Sequence, residues 1–357
     1  MTAIGASLPL LPVATRRSVG NARWPAAIGW LYAPGVAVLA LGMGIASPAL
    51  LAAGAAATVG ALSAYAVLLA RNLAGARGMP AVVAHGWAAL AALVVVIVTA
   101  LSLAGSYLGA PGLDRATAQG LHIAYATYGF MGMLALGLSY LLVPMFALAA
   151  APDERSAFAS FALAVTALLL AGAAAFGIAP RVTGMGAIGA GAGAAALHVR
   201  LMSVALATGM RRRLGRSFVL VRFSWALLAG SLAAALGVVL DAPFDGIGTL
   251  FVLVLVGGWL LTFLLGILQR IVPFLAAMHA GQRKTAGKRL PPMPSALTAE
   301  RPLAIHFACH LAALALLAVA IAAGSVWAVR LAAVAGAAGA LAFAGFFVAA
   351  MRRMNLT

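Results

Sequence analysis

The chain has 357 residues, of which 65% are apolar and 8% charged, with a mean hydropathy of +1.10. A soluble domain carries about a quarter charged residues, so a soluble enzyme, a nucleic-acid-binding domain and a disordered chain are excluded. The net charge of +17 sits between apolar runs, which points to a membrane surface and no nucleic acid. The single cysteine, Cys309, rules out an intrachain disulfide and any multi-cysteine zinc site.

The first 25 residues read as a cytoplasmic tail. Their apolar piece Leu8–Ala14 is short, holds two prolines and precedes its arginines, which is the wrong order for a signal peptide. A bilayer core of about 30 Å needs about 20 apolar residues per helix. Ten stretches meet that length: Ala26–Ala46, Pro48–Ala70, Ala81–Gly105, Thr117–Ala149, Ser156–Ile178, Val182–Gly209, Phe218–Leu240, Gly246–Met278, Pro302–Gly324 and Ser325–Met351. The fourth and eighth are long enough to tilt or to project beyond the lipid. The expected fold is an all-α polytopic transmembrane helical bundle of about ten spans. It forms one membrane domain over 26–351, with a basic, proline-rich cytoplasmic loop at 281–301 and a short tail at 352–357.

The positive-inside rule sets the direction. With the N-terminus inside, the inner segments hold Arg16, Arg17, Arg23, Arg71, Arg77, Arg155, Arg211 to Arg213, Arg216, Arg222, Arg283, Lys284, Lys288, Arg289, Arg301, Arg352 and Arg353. The outer segments hold only Arg115, Arg181 and Arg330. Both termini are therefore expected in the cytoplasm, and the expected location is the bacterial cytoplasmic (inner) membrane.

Glycine and alanine crowd the spans, as in 186–196 and 335–345, and small residues let membrane helices approach closely. Gly129–Ala149 aligns without gaps to Gly258–Met278, matching Gly129/Gly258, Leu136/Leu265, Gly137/Gly266, Val143/Val272, Pro144/Pro273 and Ala147/Ala276. This reads either as a four-helix repeat or as the coincidence that shared apolar composition allows. Prolines late in these two spans are expected to bend or end them.

No Asp or Glu falls inside a span, which argues against proton-coupled transport. The intramembrane ionisable groups are histidine and arginine, and neutral imidazole is the commonest metal or haem ligand. His306 and His310 lie four apart and share a helix face, with Cys309 beside them. They form the first candidate metal or haem pair, and His85 and His198 are candidate further ligands. The bland alternative leaves His306 at the headgroups and His310 hydrogen-bonded to a neighbouring helix; His279 reads as interfacial. His122 opens a segment rich in glycine and aromatics and is a candidate haem ligand, the alternative being a hydrogen bond to a tyrosine such as Tyr125. Arg200 and Arg270 need an anionic partner, such as haem propionates, or a path to the interface.

The run of His122, Gly129, Phe130, Gly137, Tyr140, Val143 and Pro144 resembles the haem-bearing helices of the haem-copper oxidase subunit I superfamily, including its cbb3-type and nitric-oxide-related relatives. The resemblance covers about 50 residues and implies that His122 is an axial ligand of a haem b. That family has twelve helices and a histidine-tyrosine copper motif that this chain lacks, so oxygen reduction with proton pumping is not implied. Three functions follow as expectations. The first is a haem- or metal-binding membrane protein, holding haem b or copper or iron, in respiratory electron transfer or a nitric-oxide-related role with quinone or membrane respiratory subunits as partners. The second is a cofactor-free permease for a metal, haem or small solute, with Pro144 and Pro273 as hinges. The third is a structural or assembly subunit. No phosphate-binding loop or nucleophile elbow is present.

Overall fold

In the computed structural model, residues 2–17, 23–211, 214–283 and 292–356 are described. Arg212, Arg213 and the stretch of the basic loop that carries Lys284, Lys288 and Arg289 lie outside them. Among the described residues ten helices are long and apolar enough to cross a membrane, and there is no strand. They are Arg23–Gly44, Pro48–Leu73, Pro80–Tyr107, Arg115–Ala147, Glu154–Ala175, Pro180–Thr208, Gly215–Val239, Ile247–Gly281, Glu300–Ala323 and Val326–Leu356, called here the first to tenth spans. Each coincides with one expected stretch, because hydrocarbon thickness dictates span length.

Helix starts follow from local chemistry. Ser47 caps the second span at Leu50 N with Pro48 in the first turn. Asp114 accepts from Thr117 N, and Asp153 from Ser156 N, at the starts of the fourth and fifth. The Glu154 carboxylate also accepts from Ala81 N at the start of the third span.

The chain forms two compact units, Met1–Arg212 and Arg213–Thr357. In the first unit, the first and second spans make a tight hairpin. A Cβ on Gly42 or Gly54 would collide with the backbone of Leu51 or Leu39. The segment expected as a tail begins with a helix, Thr2–Thr15. Its Ser7 hydroxyl shares a 2.7 Å hydrogen bond with Tyr65 Oη, and Thr15 donates to Asn72 Oδ1. Within the second unit, the end of the basic loop is tied down by Arg353, which donates to Ala296 O and Thr298 O.

The spans of the two units repeat. The fourth turns π-helical at Tyr125–Gly132 and the eighth at Leu253–Leu261, the same place in the alignment Gly129/Gly258. Gly137 meets the third span at His85 Cβ and Val82 O; Gly266 meets the seventh at Leu220 Cβ and Ser217 O. The matching neighbours of both glycines are 135 residues apart in sequence, a single shift for the helix pair. The fifth and ninth spans both open with Glu-Arg (Glu154-Arg155, Glu300-Arg301). Gly193 rests on Leu163, and Gly339 rests on Cys309, again in matching register. Contacts that agree in three registers are not a product of composition, so the third to sixth spans and the seventh to tenth are two copies of one four-helix pattern. The prolines act differently in the two copies. The fourth span ends three residues after Pro144, with Leu148 left-handed at φ 54, whereas the eighth continues past Pro273.

Candidate functional site

In the first unit, four elements bring three polar rings together. His85 near the start of the third span, Tyr140 on the fourth and His198 on the sixth are 1%, 2% and 0% exposed. Phe161 of the fifth span closes one side. His85 meets Tyr140 at 5.5 Å between ring centroids, edge to face, and Phe161 at 5.1 Å; Tyr140 meets His198 at 5.1 Å. The close approach of Gly137 to His85 makes this convergence possible: a Cβ there would stand 2.6 Å from His85 Cβ. His85 Nδ1 donates to Ala81 O at 2.8 Å, which leaves Nε2 as the bare acceptor, buried without a partner. The Tyr140 hydroxyl is buried towards Ser160 and makes no hydrogen bond of ordinary geometry.

His122, also in the first unit, is half-buried. Thr99 gives its hydroxyl hydrogen to Val95 O at 2.8 Å, so it accepts from His122 Nδ1 at 3.1 Å. The expected alternative partner, Tyr125, instead donates to Leu168 O. His122 thus has the same tautomer as His85, with its hydrogen on Nδ1.

In the second unit, His306 and His310 stack at 5.8 Å. His306 is buried, at 3% exposure; its Nδ1 donates to Gly339 O on the tenth span and its Nε2 has no partner. His310 Nε2 donates to Thr262 Oγ1 at 2.7 Å, because Thr262 spends its own hydrogen on Gly257 O. That carbonyl lies five residues back, inside the π-helical segment. Cys309 packs against Gly339.

The arginines divide. Arg200 is exposed on the sixth span. Arg270, expected to need an anionic partner or a path to the interface, donates to Ser217 Oγ at 2.8 Å and to Leu214 O, both neutral acceptors. His279 is exposed at the end of the eighth span.

Sequence reasoning missed Thr99, Thr262 and Gln269. Gln269 stands where the repeat has Tyr140, is 3% exposed, and its Nε2 has no partner. An uncharged polar residue in an apolar run was the available signal.

Donor chemistry fits a metal or haem iron at His85 and His306, where Nδ1 is held and Nε2 is open, the usual ligand form; His310 instead spends its Nε2–H on Thr262. Space separates the two. His85 and His198 are fully buried and each packs on the Tyr140 ring, whereas His122 is half-exposed. Gly129 lies against Ala92 of the third span. Among the described residues no three His, Cys, Asp or Glu side chains converge. Comparison with protein-family models and with curated proteins gives no match.

Proposed function

We propose that this multi-pass membrane protein binds a haem or metal centre through intramembrane histidines, in the bacterial cytoplasmic membrane with both termini inside. The observation that carries the reading is the bare, buried Nε2 of His85 and of His306. An unpartnered buried nitrogen costs about 1–3 kcal/mol, a cost that a bound metal would offset. His122, with Nδ1 fixed by Thr99 and a half-open ring, is the residue that suits haem b; His306 through Nε2, and His310 through Nδ1 because Thr262 holds its Nε2–H, would hold copper or iron. Bound there, such a group would supply one-electron chemistry, with quinone or another membrane subunit as its electron partner, in respiration or nitric-oxide metabolism.

The test is an absorbance spectrum and metal analysis of the purified full chain. A Soret band that weakens in His122→Ala, and bound metal that falls in His306→Ala and His310→Ala, support the reading. Colourless, metal-free protein from cells supplied with haem precursor, copper and iron overturns it.

The permease reading draws on the paired π-helical segments and on Pro144 and Pro273. Interrupted helices at equivalent places of a duplicated bundle are a transporter device. Colourless protein that drives substrate-dependent uptake into liposomes selects it.

A further inference from the structure

We infer that His85, Tyr140 and His198 form a mononuclear site for a divalent first-row transition ion, with Tyr140 bound as the phenolate. The inference rests on the reading that intramembrane histidines hold metal, and it adds a ligand and a place.

Three observations carry it. The first is convergence: two imidazoles, from different spans, both touch one phenol ring, at 5.5 Å and 5.1 Å. Ring ligands with metal bonds of about 2.0–2.2 Å stand roughly 5–6 Å apart by centroids. A shared coordination sphere requires the three side chains to turn from the present edge-to-face and tilted contacts so that their donor atoms converge. The second is the bare atoms. His85 Nε2 is a lone pair with no partner in a nearly closed interior, and its opposite nitrogen is already held by Ala81 O. The Tyr140 oxygen is likewise buried without an ordinary hydrogen bond.

The third is charge. A dication needs an anionic ligand when water is excluded. The six acidic residues, Asp114, Asp153, Glu154, Asp241, Asp245 and Glu300, all lie in loops or at the first residue of a span. Within the first unit, tyrosine is the side chain that can supply negative charge at this depth. Binding exchanges the phenol proton for the ion, and the proton leaves to water. Two imidazoles and a phenolate suit copper, with zinc next.

The repeat makes the same point by contrast. In the second unit the places of His85 and Tyr140 are taken by Leu220 and Gln269, and neither can serve as an anionic ligand. The three-donor set therefore belongs to the first copy.

The test uses the full chain in detergent, stripped with a chelator and reloaded with Cu2+ or Zn2+. Wild type is expected to retain an ion at this site after gel filtration and, with Cu2+, to show visible phenolate-to-copper charge-transfer absorption. Tyr140→Phe keeps the ring and its packing and removes only the oxygen. It should abolish that absorption, lower the retained metal by one equivalent and weaken binding about tenfold or more. His85→Gln and His198→Gln should do the same, while the double variant His306→Ala, His310→Ala keeps the absorption. Retained metal and spectrum that do not change in Tyr140→Phe overturn the site, as does wild type that holds no ion. A Soret band without the charge-transfer band leaves haem binding standing and removes this site. The charge-transfer band without a Soret band does the reverse.

Discussion

Exchanging the methyl group between Gly129 and Ala92 tests the contact on which the first unit is built. A Cβ on Gly129 would lie 2.7 Å from Ala92 Cβ, against an ordinary carbon–carbon separation of about 3.5–4.0 Å. The third and fourth spans must therefore part by about 1 Å in Gly129→Ala. Overpacking of this kind costs about 1–3 kcal/mol. Ala92→Gly alone loses about 1 kcal/mol of helix propensity and leaves a small void. Combined, the two changes put the methyl group on the other helix and restore the fit. A double-mutant cycle from unfolding in mixed micelles should give a favourable coupling of about 1–2 kcal/mol. The equivalent Gly258→Ala should cost less, because the atom it meets is the flexible Leu227 Cδ1 at 3.0 Å. Effects that simply add, to within about 0.5 kcal/mol, would show that the helices do not touch there.

Other perturbations follow from single bonds. Thr262→Val leaves the His310 Nε2–H without an acceptor and should cost about 1–3 kcal/mol, while Thr262→Ser keeps the bond; thermal unfolding in detergent distinguishes the two. Thr99→Val frees the His122 ring and should broaden or shift the Soret band if His122 holds haem, and a spectrum unchanged in this variant removes Thr99 from that role. Asp114 and Asp153 titrate below the usual carboxylate range, Asp114 because it accepts from the Thr117 side chain and backbone, Asp153 because it accepts from the Ser156 backbone and side chain. A lowered folded-state value means their contribution is present above the ordinary carboxyl pKa and fades as pH falls through the lowered one. Asp114→Ala and Asp153→Ala should thus destabilise slightly at neutral pH and match wild type in strong acid, as followed by thermal midpoint against pH.

Much of the fold was legible because a bilayer leaves few choices. Length and hydropathy placed all ten spans, since each must satisfy its backbone within about 20 residues. One third of the repeat was legible too, in Gly129/Gly258 and Pro144/Pro273. The rest was hidden by loops of unequal length, which shift the third and seventh spans, and the fifth and ninth, by different amounts. The matches appear only once Gly137 is seen against Val82 O and Gly266 against Ser217 O. The site was half legible. Histidine announces itself in a hydrophobic run, but tautomer depends on the partner of the other nitrogen. Those partners, Ala81 O, Thr99, Gly339 O and Thr262, lie a helix turn or a neighbouring helix away, where periodicity gives no hint. Tyr140 entered only through the resemblance, and Gln269 not at all.

The wide turns at Tyr125–Gly132 and Leu253–Leu261 act as phase shifters. An α-helix advances about 100° per residue, so one extra residue accommodated in a wider turn rotates everything beyond it by about that angle. In the fourth span this uncouples the azimuth of His122, before the turn, from that of Tyr140, after it. Deleting a single residue between them would swing Tyr140 away from His85 and His198 while leaving His122 in place, so chain length within that turn tunes the bearing of one set of donors against the other.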